Sequence, residues 1–409
     1  MAAYIAIWDW LSLVLRWLHV VTAIAWIGSS FYFVALDLGL RKSATLPSGA
    51  HGEEWQVHGG GFYHITKYLI APAELPEHLT WFKWESYATW VSGFALLCVV
   101  YYAGAPIYLI DTHVLDISST GAILLSLASI GIGWVLYDML CKSPIGRDQT
   151  TLLIALLVMI FAASWAYAQV FSARAAWLHL GVFTATIMSA NVFAIIIPNQ
   201  KKVVAALVAG KTPDPALGLQ AKQRSLHNNY LTLPVVLLML SNHYPLAFGT
   251  QYSWLIAFLM FLVGMVVRHF FNAQHARLGT PWWTWGVAAL LVVIMIWLSL
   301  YPKQESATGV TLVPPATNHF LRAEGFEDVA LTVQGRCAMC HAKEPLHPGL
   351  AAAPKGVIFE SDIQIATHAR DIYLQAGLSH AMPPSNLTEM EPAERALIVT
   401  WFEKASATR

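Results

Sequence analysis

Eight apolar stretches of membrane-crossing length, separated by loops that carry most of the charge, constrain this chain more than any other feature. They fall at about 10–36, 84–104, 117–140, 150–171, 175–198, 229–245, 252–272 and 283–301. A helix needs roughly 20 mostly apolar residues to cross the hydrocarbon core of a bilayer. Inside that core each backbone polar group must find its partner within the helix. The expected fold over residues 1–302 is therefore an eight-helix transmembrane bundle. The sixth stretch is the least regular, because Asn228, Asn229, Pro234 and Asn242 flank or interrupt it. The first is too long and too rich in tryptophan for a cleaved leader. Residues 303–318, with Pro314 and Pro315 among small polar residues, read as a partly extended tether. Residues 319–409 read as a small soluble domain with helices at about 319–336, 362–375 and 391–405.

That domain carries Cys337-Ala338-Met339-Cys340-His341. The spacing C-x-x-C-H attaches a c-type haem: two thiols add to the vinyl groups, and the adjacent imidazole ligates the iron. A structural zinc site needs four ligands, and the tail holds only these two cysteines. A thioredoxin-like pair needs a βαβ setting, which the pattern does not offer. Met382, in Ala381-Met382-Pro383-Pro384, is the expected second axial ligand, with Met390 as the fallback; the prolines stiffen the segment that presents it. Imidazole and thioether together raise the reduction potential, which suits an electron acceptor. The chain is thus expected to be all-α, an eight-helix transmembrane bundle followed by a small cytochrome c-like helical domain carrying one covalent haem c.

Haem is attached to such motifs on the outer side of the bacterial inner membrane, which puts His341 in the periplasm and, with eight spans, the N-terminus there too. The loops at 37–83, 141–149, 199–228 and 273–282 then face inward. They hold twelve Lys and Arg, whereas the outer loops hold only Arg174. This asymmetry is the one that sets topology. The lipid bilayer is the implied surroundings. Nucleic acid is not an implied partner, since no basic face is available to meet phosphates.

Ionisable residues inside spans are costly and mark function. Arg16-Trp17-Leu18-His19 lies in the first span and Ala176-Trp177-Leu178-His179 in the fifth, which suggests a weak repeat of four helices plus four. His19 and His179, facing each other from two helices, would suit a b-type haem. The plain alternative is that both are hydrogen-bonded packing residues. His113 and His243 lie at the outer ends of spans. A second polar collection lies towards the inner side: His58, His64, His78, His227, His269 and His275, with Glu85, Arg268, Asn228 and Asn229. The long loop 37–83, with His58-Gly59-Gly60-Gly61, reads as a re-entrant or interfacial cap over that side. No motif for NAD, FAD or a nucleotide is present. Electrons must come from a substrate that needs none of these, through a haem, or from a quinol.

Several of these segments together resemble the bacterial integral-membrane urate oxidase family, whose members also end in a cytochrome c domain. They are Arg16-Trp17-Leu18-His19, Ala25-Trp26-Ile27-Gly28-Ser29-Ser30-Phe31, His58-Gly59-Gly60-Gly61-Phe62-Tyr63, Trp81-Phe82-Lys83-Trp84-Glu85, His227-Asn228-Asn229-Tyr230-Leu231-Thr232-Leu233-Pro234 and Ser241-Asn242-His243-Tyr244-Pro245. The resemblance implies oxidation of urate to 5-hydroxyisourate with oxygen from water. Electrons would pass to the fused haem and on to a soluble cytochrome or a terminal oxidase, without hydrogen peroxide. Urate is a planar anion at neutral pH, which suits an Arg fork; Arg268 and Arg16 are the candidates. Asn228, Asn229 and His58 are candidates for further substrate contacts, and His227, His269 or Glu85 for the base. Two other readings explain the haem: a quinol-to-cytochrome electron-transfer protein without a urate site, and a purine transporter with a fused redox domain.

Overall fold

A computed structural model describes residues 2–407 apart from 70, 71, 73, 74, 113, 245, 246, 248, 249, 301–314, 349, 351 and 352. His113 and most of the expected tether lie outside the described residues. The membrane-type part consists of α1 (Ala2–Gly39), β1 (Ala50–His58), β2 (Gly61–Tyr68), α2 (Trp84–Leu97), α3 (Ala105–Tyr108), α4 (Ser119–Lys142), α5 (Gln149–Ala168), α6 (Ala173–Ala190), α7 (Ile197–Val208), α8 (Pro215–Leu240), α9 (Ser253–His275) and α10 (Trp283–Ser299). The tail contains α11 (Pro315–Leu321), α12 (Phe326–Cys337), α13 (Asp362–Thr367), α14 (Ala369–Ile372) and α15 (Pro392–Ala407). Each of the eight apolar stretches falls largely on helix among the described residues. Among the described residues, five helices are long and apolar enough to cross a membrane: Ile7–Gly39, Ser119–Lys142, Gln149–Ala168, Ala173–Val208 and Ser253–His275. Two helices continue as π-helical turns, α2 through Cys98–Tyr102 and α6 through Asn191–Ile196.

Two expectations need correction. The fold is not wholly α, because part of the long loop forms an antiparallel hairpin of β1 and β2. Gly59 and Gly60 form its two-residue turn at φ 58° and 81°, which glycine alone adopts without strain. The tail helix expected at 319–336 is two helices, broken at Gly325, whose φ is 85°.

The loops end in side chains that cap the next helix. Ser118 accepts from the Gly121 N–H at 3.1 Å, Asp148 from Thr151 at 2.7 Å, and Asp214 from Ala216 at 2.9 Å. Each cap satisfies an N–H that the helix itself leaves open. Helix α6 is the centre of the bundle: the continuous helical segment it begins, Ala173–Val208, is more than half buried along its most apolar stretch, whereas the corresponding stretch of α1 is not buried. Around it pack α2, α4, α5, α8 and α9, while α1 lies on α2, α8 and α9, and α10 on α9. Trp177, Tyr137, Phe171, Phe261, Leu180 and Leu238 fill the core. A separate cluster, with Phe326, Ile365, Tyr373, Trp401 and Phe402, forms the core of the tail.

Small residues fix how closely the helices approach. Pro234 has no N–H, and Gly264 of α9 sits against it; a methyl at 264 would lie 2.5 Å from the Pro234 nitrogen and 2.9 Å from the Leu233 carbonyl carbon. At Gly133 a methyl would overlap the Phe183 ring. Two ion pairs mark the ends of α1. Asp9 meets Arg370 of the tail at 2.5 Å, and Asp37 meets Lys67 of β2 at 2.5 Å.

Replacing Gly264 by Ala is expected to push α8 and α9 apart and destabilise the protein by about 1–3 kcal/mol. A thermal melt in detergent, with Gly286→Ala as the control at an open position, checks this.

Candidate functional site

The sequence-predicted polar residues separate into two clusters on different sides of α8. The first joins α1, α8 and α9. Arg268 Nε donates to Asn229 Oδ1 at 3.0 Å, and Asn272 Nδ2 donates to the same oxygen at 2.7 Å. The Arg268 guanidinium lies 3.8 Å from the centre of the Phe31 ring. Arg268, Asn229 and Asn272 are all buried. Because Asn229 Oδ1 accepts both bonds, the orientation of that amide is set by its network. Three polar atoms are then left over, buried and without a partner among the described residues: Arg268 Nη2, Asn229 Nδ2 and Asn272 Oδ1. They are a cationic donor, a neutral donor and an acceptor.

The second cluster joins α4, the π turn after α6, and α8. Tyr137 Oη lies 2.7 Å from His227 Nδ1 and accepts from Asn191 Nδ2 at 2.9 Å. Asn191 Nδ2 also donates to Asn228 Oδ1 at 3.0 Å, and Asn228 Nδ2 donates to the Met188 carbonyl at 2.9 Å. Nearby, Arg224 stacks on Tyr137 at 4.8 Å and donates to Asp138 at 2.7 Å, which also takes Lys142. Asn228 and Asn229 therefore point to different neighbours, as adjacent helical residues must.

The other candidates stand apart. His269 is exposed and pairs with the Tyr230 hydroxyl at 2.9 Å, one residue round the helix from Arg268. Glu85 lies half-buried in the first turn of α2, where a carboxylate complements the helix N-terminus; no hydrogen bond or ion pair joins it to Arg268 or His227 among the described residues. His58 is exposed at the hairpin turn, and His243 is exposed in a short 3-10 turn. Asn272, Tyr137 and Asn191 complete the clusters without having been singled out, and Phe31 had stood only at the end of a resembling segment. Asn272 was findable, since it stands one turn from Arg268 on the same face.

His19 and His179 do not form a facing pair. His179 is fully buried; its Nδ1 lies 2.7 Å from the Ala175 carbonyl and its Nε2 2.7 Å from Ser126 Oγ. Both its nitrogens are therefore engaged, and Phe171 stacks on the ring at 4.4 Å. His19 turns instead to α2, with Nδ1 3.0 Å from the Thr89 carbonyl, where Gly93 leaves room for its ring. These residues do not fit a bis-histidine haem b.

The tail does fit a covalent haem c. Cys337 ends α12, and the next turn closes with the His341 N–H donating to the Cys337 carbonyl at 2.9 Å, so both cysteines and the histidine lie within one turn. His341 Nδ1 lies 2.9 Å from the Val357 carbonyl, an arrangement that fixes the ring and leaves Nε2 as the free donor to a metal. Burial holds the His341 imidazole below its ordinary pKa, against the opposing bond to Val357, so the ring is neutral, as a ligand must be. Burial, with Cys340 beside it, pushes the Cys337 thiol up to about 12. Met382 is anchored through its backbone: its N–H donates to the Gln375 carbonyl, and its carbonyl accepts from Arg395 at 2.9 Å. Met390 is buried in the tail core, so Met382 is the better placed of the two.

A further cavity of about 280 Å³ lies by the start of α6 and is lined by Gln169, Thr250, Gln251, Ser253 and Trp254, without a charged group. It is at the end of the bundle that faces the tail; the Arg268 cluster is at the other. Phe31 and Asp9 are separated by about 33 Å of helix at 1.5 Å per residue.

These features define a helical protein of membrane type with polar clusters between apolar helices. The family model for the urate oxidase N-terminal domain matches residues 5–299, and the chain belongs to that family. No curated protein and no solved structure matches the chain.

Arg336, next to Cys337, donates to Glu394 at 2.9 and 3.1 Å and to the Thr388 carbonyl at 2.8 Å. Burial opposes the charge on Glu394, but the Glu391 N–H and Arg336 outweigh it and hold the carboxyl below the usual range. A depressed carboxylate stabilises the fold above its unfolded pKa and loses that contribution as pH falls through the folded value. The unfolding temperature of the tail is therefore expected to drop below about pH 4.5. Glu394→Gln should flatten that drop, as followed by calorimetry of the whole chain.

Proposed function

We propose that the chain binds urate at Arg268, Asn229 and Asn272 and oxidises it to 5-hydroxyisourate, with the electrons leaving through a c-type haem on the tail. The observation that carries this reading is the set of three unpaired buried atoms. Urate offers carbonyl oxygens and ring N–H groups in one plane, and it carries a negative charge. A guanidinium N–H and an amide N–H suit the oxygens; the Asn272 oxygen suits a ring N–H. Each buried atom left unpaired costs about 1–3 kcal/mol, so a ligand that pairs all three is strongly selected over one that pairs fewer. Phe31 holds the guanidinium flat from the other side.

In the overall reaction water supplies the hydroxyl at C5, and two electrons and two protons leave, so no peroxide forms. Cys337 and Cys340 would hold the haem by thioether bonds, with His341 and Met382 as axial ligands. When bound, it supplies one-electron acceptance at a raised potential. This reading takes the eight helices as spans of the bacterial inner membrane, with the N-terminus and tail outside. The contact of Asp9 with Arg370 supports that arrangement, as do the basic loops at the opposite end.

A second reading places urate in the cavity beside Gln169 and Gln251. Its position towards the tail favours it by shortening the electron path; its lack of a cation weighs against it. Arg268 is therefore preferred, because an anion leaving water needs a charged partner.

Urate added anaerobically to the purified protein is expected to bring up the reduced c-type α-band. Arg268→Ala should raise KM by about tenfold or more, while dithionite still reduces the haem. If urate leaves the wild-type haem oxidised, the electron-transfer reading takes over. If Gln169→Ala with Gln251→Ala abolishes turnover and Arg268→Ala does not, the site is the outer cavity.

A further inference from the structure

The hairpin of β1 and β2 has two unlike faces. In an antiparallel pair alternate residues share a face, and the register pairs Trp55 with His64 and Val57 with Phe62. Trp55, Val57, Phe62 and His64 therefore lie on one side. Near the base of this face His64 stacks under Trp55 at 4.3 Å and reaches Glu53 at 2.7 Å. Towards the tip it is apolar and open: Trp55 is 63% exposed, Val57 69% and Phe62 77%. Apolar groups this large and contiguous are not left to water without a reason.

The other face fastens the hairpin to α1 and fixes its direction. Arg41 and Glu53 exchange two backbone hydrogen bonds of 2.9 Å, and Lys67 pairs with Asp37, so the base lies at the end of α1. Further out, the Tyr32 hydroxyl donates to Gln56 at 2.7 Å. The hairpin thus folds back along α1, towards its middle rather than away from it. Asp9 and Asp37 are about 42 Å apart on α1, close to the full thickness of a bilayer with its headgroups, about 40–45 Å. Asp37 accordingly marks the headgroup layer. A strand advances about 3.3 Å per residue, so Val57 and Phe62 reach back past Asp37 to the boundary between headgroups and acyl chains. On α1, next to the Tyr32 anchor, the exposed Phe33 packs edge to face on the exposed Phe82 at 4.7 Å, so the helix surface at this level is apolar too. At the base, Arg41 and Lys42 are exposed, where they would meet anionic headgroups.

We infer that the hairpin is a membrane-inserting element whose tip, Trp55, Val57 and Phe62, is buried among the lipids of the leaflet at the α1 C-terminal end. The occupant of the open face is lipid, because the anchors to α1 hold the tip at the acyl boundary and the α1 surface at the same level is itself apolar and exposed. The depth required is that of an interfacial element, about 5–10 Å.

The test uses the full haem-loaded chain in nanodiscs of phosphatidylcholine and phosphatidylglycerol, with Cys98→Ala and Cys141→Ala as the background. An environment-sensitive fluorophore is attached at Phe62→Cys, in a second variant at Val57→Cys, and at Ala44→Cys as an aqueous reference. The tip probes are expected to emit to the blue of the reference and to resist iodide. Lipids with a nitroxide near the top of the acyl chain should quench them more than lipids with a nitroxide deep in the chain. Iodide quenching at the tip equal to that at residue 44 would overturn the inference in favour of an aqueous hairpin. Protection from iodide without nitroxide quenching, together with disulfide-linked dimers of the unlabelled Phe62→Cys variant, would overturn it in favour of a second copy of the chain.

Discussion

The contact between Pro234 and Gly264 is what the centre of this structure depends on. Proline inside a helix gives up one backbone hydrogen bond, and glycine inside a helix gives up stability relative to alanine. Here the two losses coincide, and they let α8 and α9 approach more closely than side chains would allow. About one turn away on each helix stand Asn229 and Arg268. Their hydrogen bond is thus a product of helix spacing, and Asn272 reaches the same oxygen because it follows Arg268 by one turn.

Burying Arg268 is expensive in any apolar surroundings. The chain offsets the cost with an amide oxygen and an aromatic face, neither of which is charged. Arg224 shows the contrasting solution: it is buried too, but it is neutralised by Asp138. Two buried arginines in one bundle, one paired with a carboxylate and one not, carry different roles on electrostatic grounds. The paired one stabilises the junction of α4 and α8. The unpaired one retains its attraction for an anion.

Much of this arrangement was legible in the residues. The apolar stretches marked where the long helices fall, five of them of membrane-crossing length among the described residues, because length and hydropathy are local properties, and Arg268 and Asn229 stood out as polar groups where polarity is costly. Their partners were less visible. Asn272 follows Arg268 by one turn of α9, a local pattern, but the meeting of Phe31 with Arg268 comes from the packing of α1 against α9, which a single sequence does not encode locally. The hairpin was hidden for another reason: Trp55 to Tyr63 mixes aromatic, polar and glycine residues, and only the pair Gly59-Gly60 signals a turn. The pairing of His19 with His179 failed because a shared Trp-Leu-His says nothing of which neighbour each ring meets. His19 turned to α2 and His179 to Ser126 of α4.

The orientation of Asn229 has one more consequence. An aspartate has the same shape and differs at a single atom, the one that here is Nδ2. With a carboxylate in that place, Arg268 would be neutralised within the protein, and the cluster would carry no net charge. The amide oxygen holds the guanidinium through one hydrogen bond and Asn272 through another, while leaving the full positive charge of Arg268 unspent. Geometry and charge are therefore set independently at this residue, and the net positive charge of the whole cluster rests on one nitrogen not being an oxygen.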